Sequence, residues 1–329
     1  MQKKLKILNT IGRYFRNKFG QTVYKVPISI SGFTCPNIDG TVAKGGCTFC
    51  ENDSFSPNLT KTKEKFKLHP NKKENPYLEL QVEQLKMQYY ATKNRLNQKF
   101  KAKQFIVYFQ SFTNTYAPIE TLKRLYMEAL NLDDVVGISI GTRSDCVSIE
   151  ILEFLDELSK QINPNSKQNN EIWVEYGVQS IYNETLDLIN RGHNYENIEE
   201  WIKKTQKYNL KICAHIIFGL PNETKEMMLN TVKRIIELNV DSIKIHPLYV
   251  TNNTQLAIDY KNKKFTPISE EDYIKTTVES IQMLTDDIIN QRVTAGIDND
   301  SLIAPSWCKN KHLLINKIKK LLFKNNILY

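Results

Sequence analysis

The feature that most constrains this chain is an alternation: short β-branched and aromatic runs recur along it, separated by longer segments of helical period. Strands are expected at 26–31, 105–109, 135–140, 172–178, 211–217 and 242–245. Helices are expected at about 77–99 behind Asn75-Pro76, 118–130 opening with Pro118, 148–161 behind Ser148, 182–190, 195–208 and 224–238. Leu122, Leu125, Tyr126 and Ala129 sit at helical spacing and read as a core face. The strand runs are nearly continuous in apolar residues, as when a parallel sheet is covered on both faces or curled into a barrel. Six such βα units make most of a (β/α)8 barrel, whose sites gather at the carboxyl ends of the strands. The expected class is therefore α/β, an incomplete (β/α)6 barrel over residues 26–246. A basic N-terminal segment, 1–25, precedes it, and a C-terminal α+β layer, 247–329, is appended and packed on it.

Residues 51–76 break the rhythm: they are polar, rich in Lys and aperiodic, and read as a long loop. At 329 residues the chain needs no metal merely to supply a core, so any metal serves chemistry. Six cysteines are too few for a disulfide framework at this length. Cys146, Cys213 and Cys308 stand apart and read as small buried hydrophobes. No apolar run approaches a membrane span or a secretory leader, so a cytoplasmic location without membrane contact is expected.

The other three cysteines crowd into GFTCPNIDGTVAKGGCTFC, where Cys35, Cys47 and Cys50 are spaced C-x11-C-x2-C just after the first strand. A structural zinc site closes with four ligands, and here His69 from the long loop is the candidate fourth. The competing reading is a [4Fe–4S] cube held by three thiolates, which leaves one iron free for a substrate or cofactor. Gly40, Gly45 and Gly46 supply the backbone freedom that such a wrap requires.

This cysteine motif followed by an incomplete barrel resembles the radical S-adenosylmethionine (radical SAM) superfamily. Within it, CPNIDGTVAKGGCTFC, YFQSFTNTYAP, EYGVQS, NRGHN, HIIFGLPNET, KIHPLYV and LIAPSWCKNK resemble the YtqA/YhcC type, itself similar to the radical subunit of Elongator. The resemblance implies that Cys35, Cys47 and Cys50 hold a [4Fe–4S] cluster that chelates S-adenosylmethionine. Reductive cleavage there yields a 5′-deoxyadenosyl radical that abstracts a substrate hydrogen, while the protein orients the cofactor and excludes side reactions. It further implies cofactor contacts for Phe49, Gln110, Ser111, Arg143, Gln179, Arg191, His215 and Leu248. Phe49 would use its backbone toward adenine, Gln110 and Ser111 would hold the methionine amino group, and Gln179 and Arg191 would reach ribose and carboxylate. His215 stands where related enzymes carry an Asp. Asn114, Tyr116, His193 and His246 are the candidates for touching substrate, each with an alternative role in shaping a loop, cap or strand end.

Lys+Arg 45 against Asp+Glu 36 gives +9. Seven of the cations lie in residues 1–25 and six in 309–329, neither of which contains an acid, so the body between is net acidic. Tyr14, Phe15, Phe19 and Tyr24 interleave the N-terminal cations, and 84–119 is a further acid-free interval. If the two ends flank one barrel mouth, they would present RNA phosphates to the site. The resemblance implies tRNA as partner: removal of the carboxymethyl portion of wobble 5-carboxymethylaminomethyluridine, leaving 5-aminomethyluridine for a separate downstream methyltransferase. A flavodoxin or ferredoxin would supply the electron. The alternatives are a small-molecule radical oxidase or decarboxylase of the porphyrinogen-oxidase type, which needs no basic ends, and a cluster-bearing RNA-binding module without turnover.

Overall fold

The computed structural model describes residues 5–51, 66–297 and 300–329. Part of the expected 51–76 loop and Lys3 and Lys4 of the basic N-terminus therefore lie outside the described residues. The chain is built on one curled parallel sheet of seven strands: β2 (Val23–Ile28), β3 (Gln104–Phe109), β4 (Val135–Thr142), β5 (Glu171–Gln179), β6 (Lys211–Phe218), β7 (Ser242–Pro247) and β9 (Ile289–Arg292), hydrogen-bonded in that order. Two small pairings complete the strands. β1 (Lys6–Ile7) runs parallel to β11 (Ile327–Leu328), and β8 (Val250–Thr251) runs antiparallel to β10 (Leu302–Ala304).

All six expected strands are present, the first beginning three residues earlier than its apolar run suggests. β9 is the correction. It belongs to the C-terminal extension yet pairs with β7 and carries the barrel sheet one strand further. Its sequence, INQR, has no apolar run to announce it, because Gln291 faces the interior and bonds Lys25 Nζ at 2.9 Å.

Helices Leu78–Phe100, Ile119–Leu130, Ile149–Lys160, Tyr195–Thr205 and Lys225–Glu237 pack outside the sheet. Side-chain oxygens of Ser148, Asn194, Thr224 and Ser269 accept the first free backbone N–H groups of their helices, which fixes where each begins. Helix Glu270–Met283 packs on Lys225–Glu237, and the basic helix Lys311–Lys324 packs on Glu270–Met283 in turn. Among the described residues no helix is long and apolar enough to cross a membrane.

The N-terminal segment is ordered in an unanticipated way. It forms a helix, Ile11–Phe19, that plugs the base of the barrel. Phe15 is buried among Val23, Ile106 and Val136, and Tyr14 meets the Trp173 ring edge-on at 5.9 Å. These contacts all lie at the amino ends of the strands. The Tyr14 hydroxyl donates to buried Glu171 at 2.8 Å, and Lys18 pairs with the same carboxylate. The Asn290 backbone N–H donates to the Asn9 carbonyl at 2.8 Å, and β1 meets β11 beside it.

The described chain ends are thus together, and Arg13 and Lys18, with Tyr14, Phe15 and Phe19, sit at the opposite end of the barrel from the carboxyl ends of the strands, while Lys25 on β2 turns into the barrel interior. This overturns the expectation that both basic ends flank the mouth. The aromatic side chains seek the apolar base, and Lys18 follows its carboxylate. In the 84–119 interval, Lys86 and Lys93 are likewise taken up by Glu128 and Asp134, at 3.0 and 2.7 Å, across neighbouring elements.

Truncating the plug is expected to be expensive. Phe15→Ala should destabilise the chain by about 3–5 kcal/mol, read from the shift of its urea midpoint.

Candidate active site

The floor of the site is a buried carboxylate. Glu175 on β5 accepts from Lys25 Nζ (β2) at 2.5 Å, from His215 Nε2 (β6) at 2.8 Å, from Lys244 (β7) and from Ser139 (β4). Tyr108 on β3 lies under two of these cations, its ring centroid 5.2 Å from Lys25 Nζ and 4.4 Å from Lys244 Nζ. Burial pushes the Glu175 carboxyl up, but the Lys244 and Lys25 charges outweigh it and hold the group well below the usual range. His215 is pushed down to about 4 by burial and the Lys244 charge, against the pull of Glu175. Glu175, Cys213 and His215 cluster closely enough to suggest a metal, but the two lysines on Glu175 already fill its place as countercharge.

Above this floor opens a cavity of about 800 Å³, walled by the carboxyl ends of β3 to β7 and rimmed by the loop after β2. That size suits a cofactor together with part of a substrate. Cys35, Cys47 and Cys50 all line it. Their loop is pinned by hydrogen bonds to the segment after helix Asn183–Leu188. Asn37 Nδ2 donates to the carbonyls of Asn190 and Arg191 at 2.6 and 2.9 Å, and the Thr48 N–H donates to Ile189 at 3.0 Å. Gly192, with φ +75°, makes this approach possible, since a Cβ there would lie 2.5 Å from Asn37 Oδ1.

Two guanidinium groups point at the sulfurs. Arg143 Nη1 is 3.9 Å from Cys35 Sγ, and Arg191 Nη1 is 3.7 Å from Cys47 Sγ. Arg143 is aimed by a bidentate pair with Asp145 at 2.8 and 2.7 Å, and Arg191 by the Gly177 carbonyl at 2.6 Å. Gly177 leaves room for this, because a Cβ there would lie 2.8 Å from Arg191 Nη2. Burial, then the neighbouring Cys47 and Cys35 charges, push the Cys50 thiol up to about 12. Three thiolates this close need cations among them. Zinc draws its sulfurs to about 3.8 Å of one another at its usual bond length, whereas these three are not all within 4.8 Å of each other. His69 does not join them: its ring packs edge-on against Tyr116 and does not line the cavity. The donor set fits a cluster better than a single ion. Arg191 Nε and Gln179 Oε1, at the rim, are buried without hydrogen-bond partners, and Gln179 holds a left-handed backbone, φ +68°.

The sequence pattern of the radical SAM superfamily matches residues 40–235, and that of the radical SAM C-terminal domain matches residues 240–324. The chain belongs to the radical SAM superfamily. It is 35% identical over 315 residues to YtqA of Bacillus subtilis, covering 95% of this chain and 88% of that protein. It is 35% identical over 155 residues to a tRNA uridine(34) acetyltransferase of Methanocaldococcus infernus, covering 45% of this chain and 28% of that one. Among solved structures, archaeal Elp3 from M. infernus superposes with a TM-score of 0.62 at 21% identity, covering 92% of this chain and 63% of that one, a likeness of fold. The cofactors of this radical SAM protein are a [4Fe–4S] cluster and S-adenosylmethionine.

Of the residues singled out from sequence, the cavity of this radical SAM barrel brings together the three cysteines with Phe49, Gln110, Arg143, Gln179, Arg191, His215, Leu248 and His246. It does not bring in Ser111, Asn114, Tyr116 or His193. Ser111 is buried against Ser29. The Asn114 amide is spent on the Phe109 and Gly141 carbonyls, and the Tyr116 hydroxyl on Thr41. His193 stands behind the wall, 4.0 Å from Asp145, and burial and the Arg191 charge push it down to about 3. Sequence reasoning missed Tyr108, Glu175, Lys244 and Arg292. For Glu175 and Lys244 the available signal was a charge inside an apolar strand run, in EIWVEYGVQ and SIKIHP, on the inward phase of the two-residue period; Tyr108 and Arg292 gave no such signal.

Removing the floor carboxylate should leave two buried lysines unmatched. Glu175→Gln is expected to cost about 3–5 kcal/mol near neutral pH. Since the folded carboxyl titrates below its ordinary value of 4.5, the wild-type advantage should be full above that pH and shrink as pH falls beneath it, in denaturant melts of both proteins across pH.

Proposed function

We propose that this protein modifies tRNA, converting 5-carboxymethylaminomethyluridine at the wobble position to 5-aminomethyluridine. The observation that carries this assignment is the similarity to the tRNA uridine(34) acetyltransferase, a relative named for the same nucleotide. A cavity of about 800 Å³ beside the cysteine loop, large enough for an everted base beside the cofactor, supports it.

In this reading Cys35, Cys47 and Cys50 hold the cluster, and Arg143 and Arg191 balance its thiolate charge from the positions they already occupy. Arg191 Nε and Gln179 Oε1, both buried without partners, are the groups left for the carboxylate and ribose of S-adenosylmethionine. Phe49, Gln110 and Leu248 line its path, while Ser111 supports the turn from behind. When bound, the two cofactors would supply radical hydrogen abstraction from the carboxymethyl arm and take up the second electron, so that with addition of water the arm leaves as a two-carbon aldehyde acid and the amine stays on the nucleoside. The neutral imidazoles of His215 and His246 and the salt-bridged floor hold the reacting end of the cavity without offering a loose proton. A flavodoxin or ferredoxin delivers the electron, the product passes to a separate methyltransferase, and the enzyme works in the cytoplasm.

Anaerobic reconstitution under reductant should give a [4Fe–4S] spectrum and 5′-deoxyadenosine. Single Cys35→Ala, Cys47→Ala or Cys50→Ala replacements should abolish both, and Cys308→Ser should abolish neither. A deletion strain should accumulate carboxymethylaminomethyluridine in digested tRNA by mass spectrometry. An unchanged level of that nucleoside would reject the tRNA assignment.

A further inference from the structure

The cavity contains a cation that neither the cluster nor the floor accounts for. Arg292 is the last residue of β9 and lines the cavity. Its Nε is buried without a hydrogen-bond partner, and among the described residues it forms no ion pair. Among the described residues the one acid lining the cavity, Glu175, is already engaged by Lys25, Lys244, His215 and Ser139. The three arginines of the cavity divide in two. Arg143 and Arg191 lie against cysteine sulfurs, and theirs are the guanidinium charges felt at Cys50. The Arg292 charge is felt instead by His215, His246 and Lys244, on the wall made by β6 and β7. Next to it, His246 and Tyr249 stack at 5.9 Å with an interplanar angle of 22°, and both face the cavity.

We propose that Arg292 is the specificity determinant that binds a carboxylate on the substrate, with the His246 and Tyr249 rings bordering the planar group that carries it. A guanidinium fork is shaped for a carboxylate, and a buried donor such as Arg292 Nε left without an acceptor is costly until one arrives. This rests on the tRNA reading, in which the carboxymethyl arm supplies the carboxylate. Arg292 then orients the arm that is removed and rejects the product, which lacks it. Discrimination of this kind is strong because the wrong ligand leaves a buried polar group unpaired.

The test compares Arg292→Gln and Arg292→Lys holoenzymes with wild type on two tRNAs, one bearing 5-carboxymethylaminomethyluridine and one bearing 5-aminomethyluridine. A lost charged hydrogen bond of this class corresponds to about 10–100-fold, so the KM for the carboxylated tRNA should rise by roughly that factor in Arg292→Gln. Arg292→Lys should recover part of it, binding of the aminomethyl tRNA should match wild type, and the KM for S-adenosylmethionine should also match wild type. Equal weakening toward both tRNAs would make Arg292 a phosphate contact and overturn the assignment. A raised KM for S-adenosylmethionine would overturn it in favour of the cofactor carboxylate. If wild type acts on neither tRNA, the functional reading itself has failed and this assignment falls with it; if wild type acts and the two tRNAs are still told apart by Arg292→Gln, only this assignment falls.

Discussion

The structure depends on one buried carboxylate. Glu175 sits on the central strand of the sheet, and every other strand reaches it. β2, β4, β6 and β7 do so through Lys25, Ser139, His215 and Lys244, β3 through the Tyr108 ring under the two lysines, and β9 through the Gln291 bond to Lys25. A buried charge is costly unless paired and hydrogen-bonded, and here it is over-supplied with donors. Because side chains alternate with a period of two, a one-residue slip of β5 would turn Glu175 outward and strand both lysines. The network therefore sets the register of the strands at one level, and the Lys25 to Gln291 bond closes the gap between the two edge strands at that level. Apolar packing alone would tolerate more arrangements, since fitted polar networks specify a core more narrowly than area does.

That level divides the interior. Beneath it, Trp173, Cys213 and Ile289 form an apolar layer against which Ile11 and Tyr14 rest, so the plug is seated by burial. Above it, the strands end in loops and the cavity opens. The Asn37 amide that fastens the cysteine loop does so by gripping the backbone of Asn190 and Arg191. One set of hydrogen bonds thus fixes both the cysteine loop and the guanidinium beside Cys47. The spacing between Cys47 and its countercharge is set by one buried side-chain amide that ties two loops together.

The barrel was legible because its signal is statistical over many residues: six apolar runs separated by helical periods leave few other architectures. The cysteine loop was legible because three thiols in sixteen residues have few other uses in a chain that needs no staple. What escaped was information carried by single residues or by partners distant in sequence. Ile289–Arg292 is a strand only because β7 offers it an edge, and Ile11–Phe19 is a seated plug only because the barrel base is apolar and Glu171 waits there. Asn114 and Tyr116 looked like site residues because they lie in a loop at a strand end. Their polar atoms are committed to neighbouring structure, the Asn114 amide to the Phe109 and Gly141 carbonyls and the Tyr116 hydroxyl to Thr41 of the cysteine loop.

The charge of +9 illustrates the same limit. Summed charge governs solubility and long-range attraction, and it invites a search for an anionic partner along the basic ends. Lys18 lies at the base of the barrel and neutralises Glu171, Lys25 is taken up inside by Glu175, and Lys86 and Lys93 are matched on the outside. The arginines that line the cavity differ in what opposes them: Asp145 for Arg143, the Cys47 sulfur for Arg191, and no group among the described residues for Arg292. A buried guanidinium nitrogen without an acceptor raises the free energy of the empty protein, and an anion that bonds it recovers that cost as binding. Selectivity for a charged substrate therefore follows from which internal cation has been left without a partner, a property that no sum over the sequence contains.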